Sequence, residues 1–189
     1  MRIIGGAFRG MTLASVGKGD ASAHLRPTSD RVRESLFNIL LGGRFGDPVS
    51  GARVLDLFAG TGALGLEALS RGATHVTFVD DGAKARALIR QNIDLTRSHG
   101  ATKLFRRDAT RLGEHQGERF SLVFLDPPYG KGLGEKALAS AIEGGWLAPG
   151  ALIVWEESAE VTPPDGVTLL DARRYGDTHI SILEYQPEA

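Results

Sequence analysis

Short apolar segments alternate with amphipathic segments along most of the chain. The apolar segments predict strands at residues 53–58, 75–80, 102–106, 120–125 and 151–156. Helical periodicity between them predicts helices at 63–71, 83–98 and 133–144. Because strands that alternate with helices form right-handed βαβ units, this pattern predicts an α/β fold with a mostly parallel sheet covered by helices on both faces.

Two further apolar stretches follow, at residues 167–170 and 180–185, without a helix-length segment between them. Strands joined this closely are expected to pair antiparallel, at or near one edge of the sheet. With these two stretches the predicted sheet has seven strands.

The N-terminal part of the chain has a different pattern. Residues 2–6 and 11–13 predict a short hairpin. A helix is then predicted from about residue 30, because residues 28–30 supply capping oxygens and an apolar stripe follows until two glycines end it. The sequence is therefore divided into a hairpin and helix module, residues 1–44, and a main domain, residues 45–189.

Composition restricts the class of protein. A chain of 189 residues with 42% hydrophobic content can form one domain with a full core. A cytoplasmic protein is expected, because no stretch is long and apolar enough for a membrane span or a signal peptide. The absence of cysteine excludes disulfides, iron–sulfur clusters and thiol nucleophiles. The five histidines lack the spacing of metal ligands, so no metal site is expected.

The net charge of −1 is unevenly distributed. Residues 1–44 contain seven basic and three acidic residues, whereas the rest of the chain contains 15 basic and 20 acidic ones. Such asymmetry indicates an anionic partner for the N-terminal segment, with a solvated basic face as the alternative.

The most informative motif is Asp126-Pro127-Pro128-Tyr129, which directly follows an apolar predicted strand. A carboxylate at a strand end, two prolines with fixed φ and no N–H, and an aromatic ring form a rigid ledge that can hold a planar amine. Asp-Pro-Pro also occurs in ordinary turns that end strands. A second motif upstream favours the functional interpretation.

That second motif is the glycine turn Gly60-Thr61-Gly62-Ala63-Leu64-Gly65, which matches G-x-G-x-x-G between a predicted strand and a predicted helix. Asp80 ends the next strand, 18 residues after Gly62. Glycines let the backbone approach a ligand closely, and a carboxylate at this position can accept hydrogen bonds from ribose hydroxyls. An adenosine-containing cofactor is therefore predicted. The alternative is that the glycines serve only a tight turn.

A nicotinamide dinucleotide would also match the glycine pattern. Asp56, four residues before the first glycine, instead suits a cationic or amino-bearing ligand, and a hydride-transferring enzyme has no use for the ledge at Asp126. S-adenosylmethionine fits both features. The candidate cofactor contacts are Asp56, Phe58, Ala59, Gly60, Thr61, Gly62 and Asp80.

Four stretches resemble the bacterial small-subunit ribosomal RNA guanine-N2 methyltransferase family. They read RIIGG at 2–6, RPTSDRVRESLFNIL at 26–40, GTGALGLEALSRGA at 60–73 and DPPY at 126–129. The resemblance implies a Rossmann-like class I methyltransferase that uses S-adenosylmethionine to methylate the exocyclic N2 amine of a guanine in 16S ribosomal RNA. The chain departs from the family at Met11-Thr12, where Arg and Lys are common, and at Asp80, where Glu is common.

The resemblance also implies roles for particular residues. Asp126 and the Pro127 carbonyl would accept N–H bonds from the target amine beside Pro128, and Tyr129 would stack on the base. Asp108 resembles the residue that contacts the adenine edge of the cofactor, with a helix cap as the alternative. The candidate RNA phosphate contacts are Arg26, Arg31 and Arg33, with a solvated helix face as the alternative.

Several functional alternatives stay open at this point. An adenine-N6 methyltransferase could use the same four ledge residues. An NAD-dependent oxidoreductase and a non-catalytic RNA-binding protein belong to other classes. The sequence does not distinguish naked RNA from the small ribosomal subunit or an assembly intermediate as the substrate.

Overall fold

The computed structural model describes residues 1–16 and 28–187. Its strands are β1 (Arg53–Leu57), β2 (His75–Val79), β3 (Thr102–Phe105), β4 (Phe120–Leu125), β5 (Leu147–Glu157), β6 (Val167–Tyr175) and β7 (Thr178–Tyr185). Its α-helices are α1 (Asp30–Leu41), α2 (Ala63–Ser70), α3 (Ala83–Thr96) and α4 (Leu133–Glu143).

The strands form one sheet in the order β3-β2-β1-β4-β5-β7-β6. Strands β1 to β5 pair in parallel, whereas β7 is antiparallel to both of its neighbours, β5 and β6. The prediction of a mostly parallel seven-stranded sheet with an antiparallel pair at its edge is confirmed.

Successive side chains of a strand point to opposite faces of the sheet. The central strands carry apolar side chains on both faces, and helices cover both. Val54 of β1 packs into one core with residues of α1, α2 and α3. Leu55 and Leu57 of the same strand pack into a second core with residues of α4. Strands buried on both faces appear in the sequence as continuous apolar runs, which is why β1, β2 and β4 were predicted within one residue of their observed bounds. The bounds of β3 were also predicted within one residue, although this edge strand is only partly buried.

The last strands are longer than predicted. Strand β6 continues to Tyr175, and its second half carries exposed polar side chains because only one of its edges is paired, with β7. Strand β5 begins at Leu147, before a register irregularity opposite the start of β4. Both extensions contain polar or glycine residues, so an apolar-run criterion does not detect them.

The strand order creates a crevice between β1 and β4. From β1 the chain continues to β2 and β3 on one side, and β4 then starts the other half of the sheet. In such sheets ligands bind beyond the carboxyl ends of the strands at this switch point. The register pairs Leu57 with Leu125 and Leu125 with Trp155, so Phe58, Asp126 and Glu156 come next on adjacent strands.

The buried carboxylate of Glu67, in α2, attaches the N-terminal segment to the sheet domain. Its Oε1 accepts hydrogen bonds from the Ile4 N–H at 2.9 Å and from Arg33 Nε at 3.3 Å. Its Oε2 accepts from the Gly5 N–H at 3.1 Å and from Arg71 Nε at 2.9 Å. Glu67 and Arg33 are 0% and 1% exposed, so this ion pair is desolvated and fully hydrogen bonded.

Apolar contacts reinforce this attachment. In the hairpin around the Arg2–Thr12 bridge, the Ile3 N–H donates to the Met11 carbonyl and the Leu13 N–H donates to the Met1 carbonyl. The side chains of Ile3 and Leu13 share the first core with Leu36 of α1. The N-terminal segment therefore packs on the same core as the sheet. Its division from the main domain at residues 44 and 45 stays a prediction.

We predict that Glu67→Gln destabilises the protein strongly. Removing one partner of a buried ion pair leaves the other charge uncompensated, which typically costs about 3–5 kcal/mol in the free energy of unfolding. Urea denaturation followed by tryptophan fluorescence measures this loss. The matched control is Glu118→Gln, because Glu118 pairs with Arg53 at 3.5 Å but its side chain is 80% exposed. Equal losses in the two variants would contradict the assignment.

Candidate active site

The crevice at the switch point is a cavity of about 1110 Å³. It is lined by residues from every predicted cofactor and catalytic motif: Asp56, Phe58, Ala59, Gly60, Thr61, Asp80, Asp108, Asp126, Pro127, Pro128 and Tyr129. Gly62 lies behind this surface, as the N-cap of α2. The structure thus brings together two motifs that are more than 60 residues apart in the sequence.

The glycine turn brings backbone into the crevice through left-handed conformations. Phe58 has a φ of 56°, and Gly62 has a φ of 82°. A Cβ on Gly62 would also lie 3.3 Å from the Phe78 ring, so this position favours glycine both conformationally and sterically. Phe58 has no such freedom, and left-handed non-glycine residues concentrate where a ligand site requires the geometry.

Asp80 connects the end of β2 to this turn. Its Oδ2 accepts the Gly60 N–H at 3.0 Å, and its Oδ1 accepts the Gly82 N–H at 2.9 Å. Burial raises the pKa of Asp80, against the effect of these two hydrogen bonds. Each carboxylate oxygen can accept a second hydrogen bond, so the side chain keeps capacity for ribose hydroxyls.

Asp56 lies deeper in the crevice, within β1. It is 1% exposed, and its Oδ2 accepts the Gly65 N–H at 3.1 Å. Burial, assisted by the nearby charge of Asp80, raises the pKa of Asp56 well above its usual range. A cationic or amino-bearing ligand would compensate this buried carboxylate.

Asp108 performs the capping role that the sequence left as an alternative. Its Oδ1 accepts hydrogen bonds from the Thr110 hydroxyl at 2.7 Å and the Thr110 N–H at 2.9 Å, and these bonds lower the pKa of Asp108. The side chain is exposed and also borders the crevice. Its contact with an adenine edge stays a prediction that the cap does not prevent.

Asp126 faces a second carboxyl group. Burial is the main cause that raises its pKa well above the usual range, followed by the charge of Glu156 and a side-chain hydrogen bond with Glu156. A carboxyl group that is desolvated and close to another negative charge ionises less readily, so Asp126 retains its proton more strongly than an isolated carboxyl does.

Tyr129 is held beside this pair. Its hydroxyl donates to Glu156 Oε1 at 2.8 Å and lies 3.2 Å from Thr178 Oγ1. Burial raises the pKa of the Tyr129 hydroxyl, so it stays a donor at physiological pH. The residue is 40% exposed, which leaves part of the ring accessible from the crevice.

Sequence reasoning missed Glu156 and assigned Thr28 only to capping. Glu156 is 8% exposed, lines the crevice and accepts a hydrogen bond from Thr28 Oγ1 at 2.5 Å. The N-cap of α1 is Ser29, which accepts the Val32 N–H at 3.2 Å. A parallel pairing of the strand at 151–156 with the strand before Asp126 would have indicated that Glu156 lies beside Asp126.

The assignment of Arg33 to an RNA phosphate is wrong. Although Arg33 borders the crevice, it is 1% exposed, and its guanidinium is bound by Glu67, Asp30 and the carbonyls of Thr28 and Arg2. Four of its five N–H donors are used within the protein, and the side chain is buried, so Arg33 does not present its charge to RNA.

The sequence contains a signal for this burial, because Arg33 falls on the apolar stripe of α1 with Leu36, Phe37 and Leu40. Arg31 lies on the exposed part of the helix, and Arg26 is outside the described residues. The phosphate contacts of Arg31 and Arg26 stay predictions.

Within residues 1–16 and 28–187, no group of three or more His, Asp or Glu side chains could hold a metal ion. No helix of the described chain is long and apolar enough to cross a membrane.

Comparison with known proteins gives consistent matches over almost the full chain. The profile of a family described as "Conserved hypothetical protein 95" matches residues 1–184. Proteins named "Ribosomal RNA small subunit methyltransferase D" are similar: the one from Escherichia coli is 40% identical over 85% of this chain and 76% of its own length. The one from Haemophilus influenzae is 36% identical over 93% of this chain and 89% of its own length.

Solved structures share the fold. An Escherichia coli protein of 34% sequence identity superimposes with a TM-score of 0.81, covering 100% of this chain and 99% of that chain. A Thermus thermophilus protein titled TrmN has 26% identity and a TM-score of 0.65, over 86% of this chain and 51% of that chain. These matches and the strand order agree on a Rossmann-like α/β fold.

We predict that Asp126→Asn stabilises the fold at neutral pH. A carboxyl whose pKa is higher in the folded than in the unfolded protein contributes stability that is fully present below the unfolded pKa and is lost as the pH rises through the folded pKa. Asparagine does not titrate and so removes this loss. A gain of about 1 kcal/mol would raise Tm by roughly 2–4 °C in a protein of this size.

Scanning calorimetry from pH 4 to pH 8 measures this effect. The gain over the unmodified protein should grow as the pH rises from the acidic end. Asp177→Asn, at an exposed turn position, controls for removing one negative charge. A difference that does not change with pH would contradict the raised pKa of Asp126.

Proposed function

The chain belongs to the family described as "Conserved hypothetical protein 95", and we propose that it transfers a methyl group from S-adenosylmethionine to the exocyclic N2 amine of a guanine in 16S ribosomal RNA. The observation that carries this proposal is that one crevice contains both the glycine turn with Asp80 and the ledge at residues 126–129. The family members named as small-subunit ribosomal RNA methyltransferases support the reaction and the RNA class.

The residues of the crevice fit this cofactor. Asp80 offers acceptor oxygens for ribose hydroxyls, and the left-handed turn at Phe58 and Gly60 exposes backbone to the ligand. The buried carboxylate of Asp56 suits a ligand that carries positive charge. When bound there, S-adenosylmethionine supplies an electrophilic methyl group whose bond to sulfur breaks with the electron pair left on sulfur.

The ledge aligns the amine. The lone pair of a guanine N2 is delocalised into the ring, so it must be held out of conjugation and directed at the methyl carbon. Asp126 and the Pro127 carbonyl accept its N–H bonds, and the ring of Tyr129 stacks on the base. The negative charge of the pair Asp126 and Glu156 stabilises the positive charge that develops on the nitrogen, and the released proton passes to this pair.

The target guanine must leave its base stack to reach this ledge. Unpaired or flipped bases in RNA loops meet this requirement at the lowest cost. The proposed phosphate contacts are Arg31, which is exposed on α1, and Arg26. Bacterial ribosomal RNA lies in the cytoplasm, which is where we propose that the protein acts.

The other candidate functions have less support. The named relatives are methyltransferases, which leaves the oxidoreductase without a supporting observation. The complete pair of carboxyls at Asp126 and Glu156 argues against a protein that only binds RNA. An adenine-N6 activity would use the same ledge, and only the ring atom beside the target amine distinguishes the two bases.

We predict that Asp126→Ala impairs methyl transfer, whereas Asp80→Ala impairs cofactor binding. Asp126→Ala should lower the rate of methyl transfer by on the order of 10²- to 10³-fold, because it removes a preorganised electrostatic partner of the amine. Its affinity for S-adenosylmethionine should change little. Asp80→Ala should weaken cofactor binding directly, because the ribose acceptor is lost.

Calorimetry with S-adenosylmethionine and its demethylated product measures binding, and transfer of a labelled methyl group to small-subunit ribosomal RNA measures the rate. Tight NAD binding with no response to S-adenosylmethionine would contradict the proposal. An Asp126→Ala variant that keeps most of its activity would show that the ledge only supports the fold.

We predict that the double variant Arg26→Ala/Arg31→Ala binds RNA more weakly and with a shallower salt dependence. Each lost phosphate contact should reduce the slope of log affinity against log salt by roughly 0.7–0.9. Arg33 is left intact because it supports the fold. Fluorescence anisotropy across a salt series, with cofactor affinity as a check, gives the slope.

Arg173→Ala on the edge strand β6 is the control, because Arg173 pairs with Asp171 at 3.3 Å, outside the crevice. An unchanged slope in the double variant would move the RNA contacts to the cluster Lys103, Arg106, Arg107 and Arg111.

A further inference from the structure

Glu156 occupies the same end of the sheet as Asp126. Leu125 of β4 pairs in parallel with Trp155 of β5, so the residues that follow them, Asp126 and Glu156, lie side by side. Glu156 is 8% exposed and borders the crevice with the ledge. The charge of Glu156 adds to the effect of burial in raising the pKa of Asp126, so the two carboxyl groups are close enough to interact. The ledge therefore presents two adjacent carboxyl groups, of which amine capture uses one.

Two hydroxyl groups fix the second carboxyl. The Tyr129 hydroxyl donates to Oε1 of Glu156 at 2.8 Å, and the Thr28 hydroxyl donates to Oε2 at 2.5 Å. A carboxylate oxygen has two acceptor positions, so each oxygen can still accept from a ligand. Because Tyr129 is also the proposed stacking residue, Glu156 is held in a defined relation to the base.

Guanine and adenine differ in what they present next to the target amine. In guanine the N2 amine lies beside N1–H, so two donors are adjacent. In adenine the N6 amine lies beside N1, which carries a lone pair. Buried acceptors that a ligand leaves unpaired disfavour that ligand strongly, and two like lone pairs repel each other. Adjacent carboxyls complement guanine and oppose adenine.

On the basis of the proposed methyl transfer, we propose that Glu156 determines the base specificity of the site by accepting the N1–H of the target guanine while Asp126 accepts the N2 amine. Glu156 thereby fixes the in-plane orientation of the base, and Tyr129 fixes its stacking height. An adenine in the same place would put its N1 lone pair against the Glu156 carboxylate.

The test compares two RNAs that differ at one position. One carries guanine at the target site and the other carries 2-aminopurine, which keeps the N2 amine but has an unprotonated N1. The unmodified protein should methylate the 2-aminopurine RNA with kcat/KM lower by on the order of 10- to 100-fold, which corresponds to one lost hydrogen bond to a buried charged acceptor.

Glu156→Gln should reduce this ratio at least tenfold, because the amide can donate to the unprotonated N1 and has lost the charge that attracts N1–H. 2-Aminopurine also lacks the O6 of guanine, and the loss of O6 affects the ratio of kcat/KM equally in the unmodified protein and in Glu156→Gln. The change in this ratio between the two proteins therefore reports the contact with N1. The matched control is Glu157→Gln, one residue further along β5. Glu157 Oε1 accepts the N–H groups of Gly130 and Ser158, and the variant should keep the original ratio.

The outcomes separate the two proposals. Equal methylation of both RNAs by the unmodified protein overturns the role of Glu156 and leaves methyl transfer intact, and this arm requires no variant. The same ratio in Glu156→Gln as in the unmodified protein also overturns it, once unchanged cofactor affinity shows that the variant is folded. Methylation of adenine N6 in place of guanine N2, or no transfer to any RNA, overturns the proposed function and this inference together.

Discussion

Three acidic side chains lie together at one end of the sheet, and the rest of the structure holds these like charges in place. Asp56 and Glu156 are buried, and Asp126 is half-buried. Asp56, Asp126 and Glu156 come from adjacent strands β1, β4 and β5, whose parallel register aligns their carboxyl ends. Side chains of like charge do not gather in a crevice unless the backbone that carries them is rigid. The strands supply that rigidity, because Leu55, Leu57, Val123 and Leu125 are fully buried in one of the two cores. Burial, and then the charge of neighbouring carboxylates, raises the pKa values of Asp56 and Asp126.

The opposite arrangement attaches the N-terminal segment. Glu67 is as deeply buried as any carboxylate of the crevice, yet it is surrounded by two guanidinium groups and two backbone donors. One set of buried charges is satisfied within the protein, and the other lies open to a ligand. This contrast separates an acidic residue that supports the fold from those that form a site.

Sequence reasoning succeeded where the physical signal is local or periodic. Apolar runs located the parallel strands, and the glycine turn and the ledge located the crevice, because their backbone geometry restricts residue type. Glu156 belongs to no motif, and only the pairing of β4 with β5 places it at the site. Arg33 was misassigned because charge was given more weight than helical position. A guanidinium on an apolar stripe is buried with its partners, and the partner Glu67 is 34 residues away in sequence.

Because β7 lies between β5 and β6, the sheet beside Glu156 is completed late in the synthesis of the chain. The outer edge of β5, the strand that carries Glu156, is covered by residues 178–185, and Thr178 lies 3.2 Å from the hydroxyl of Tyr129. A ribosome releases the glycine turn and the ledge well before these residues, so a nascent chain holds the cofactor motifs before it can complete the sheet around Glu156. The order of synthesis thus delays completion of the proposed base pocket until nearly all of the described chain has emerged.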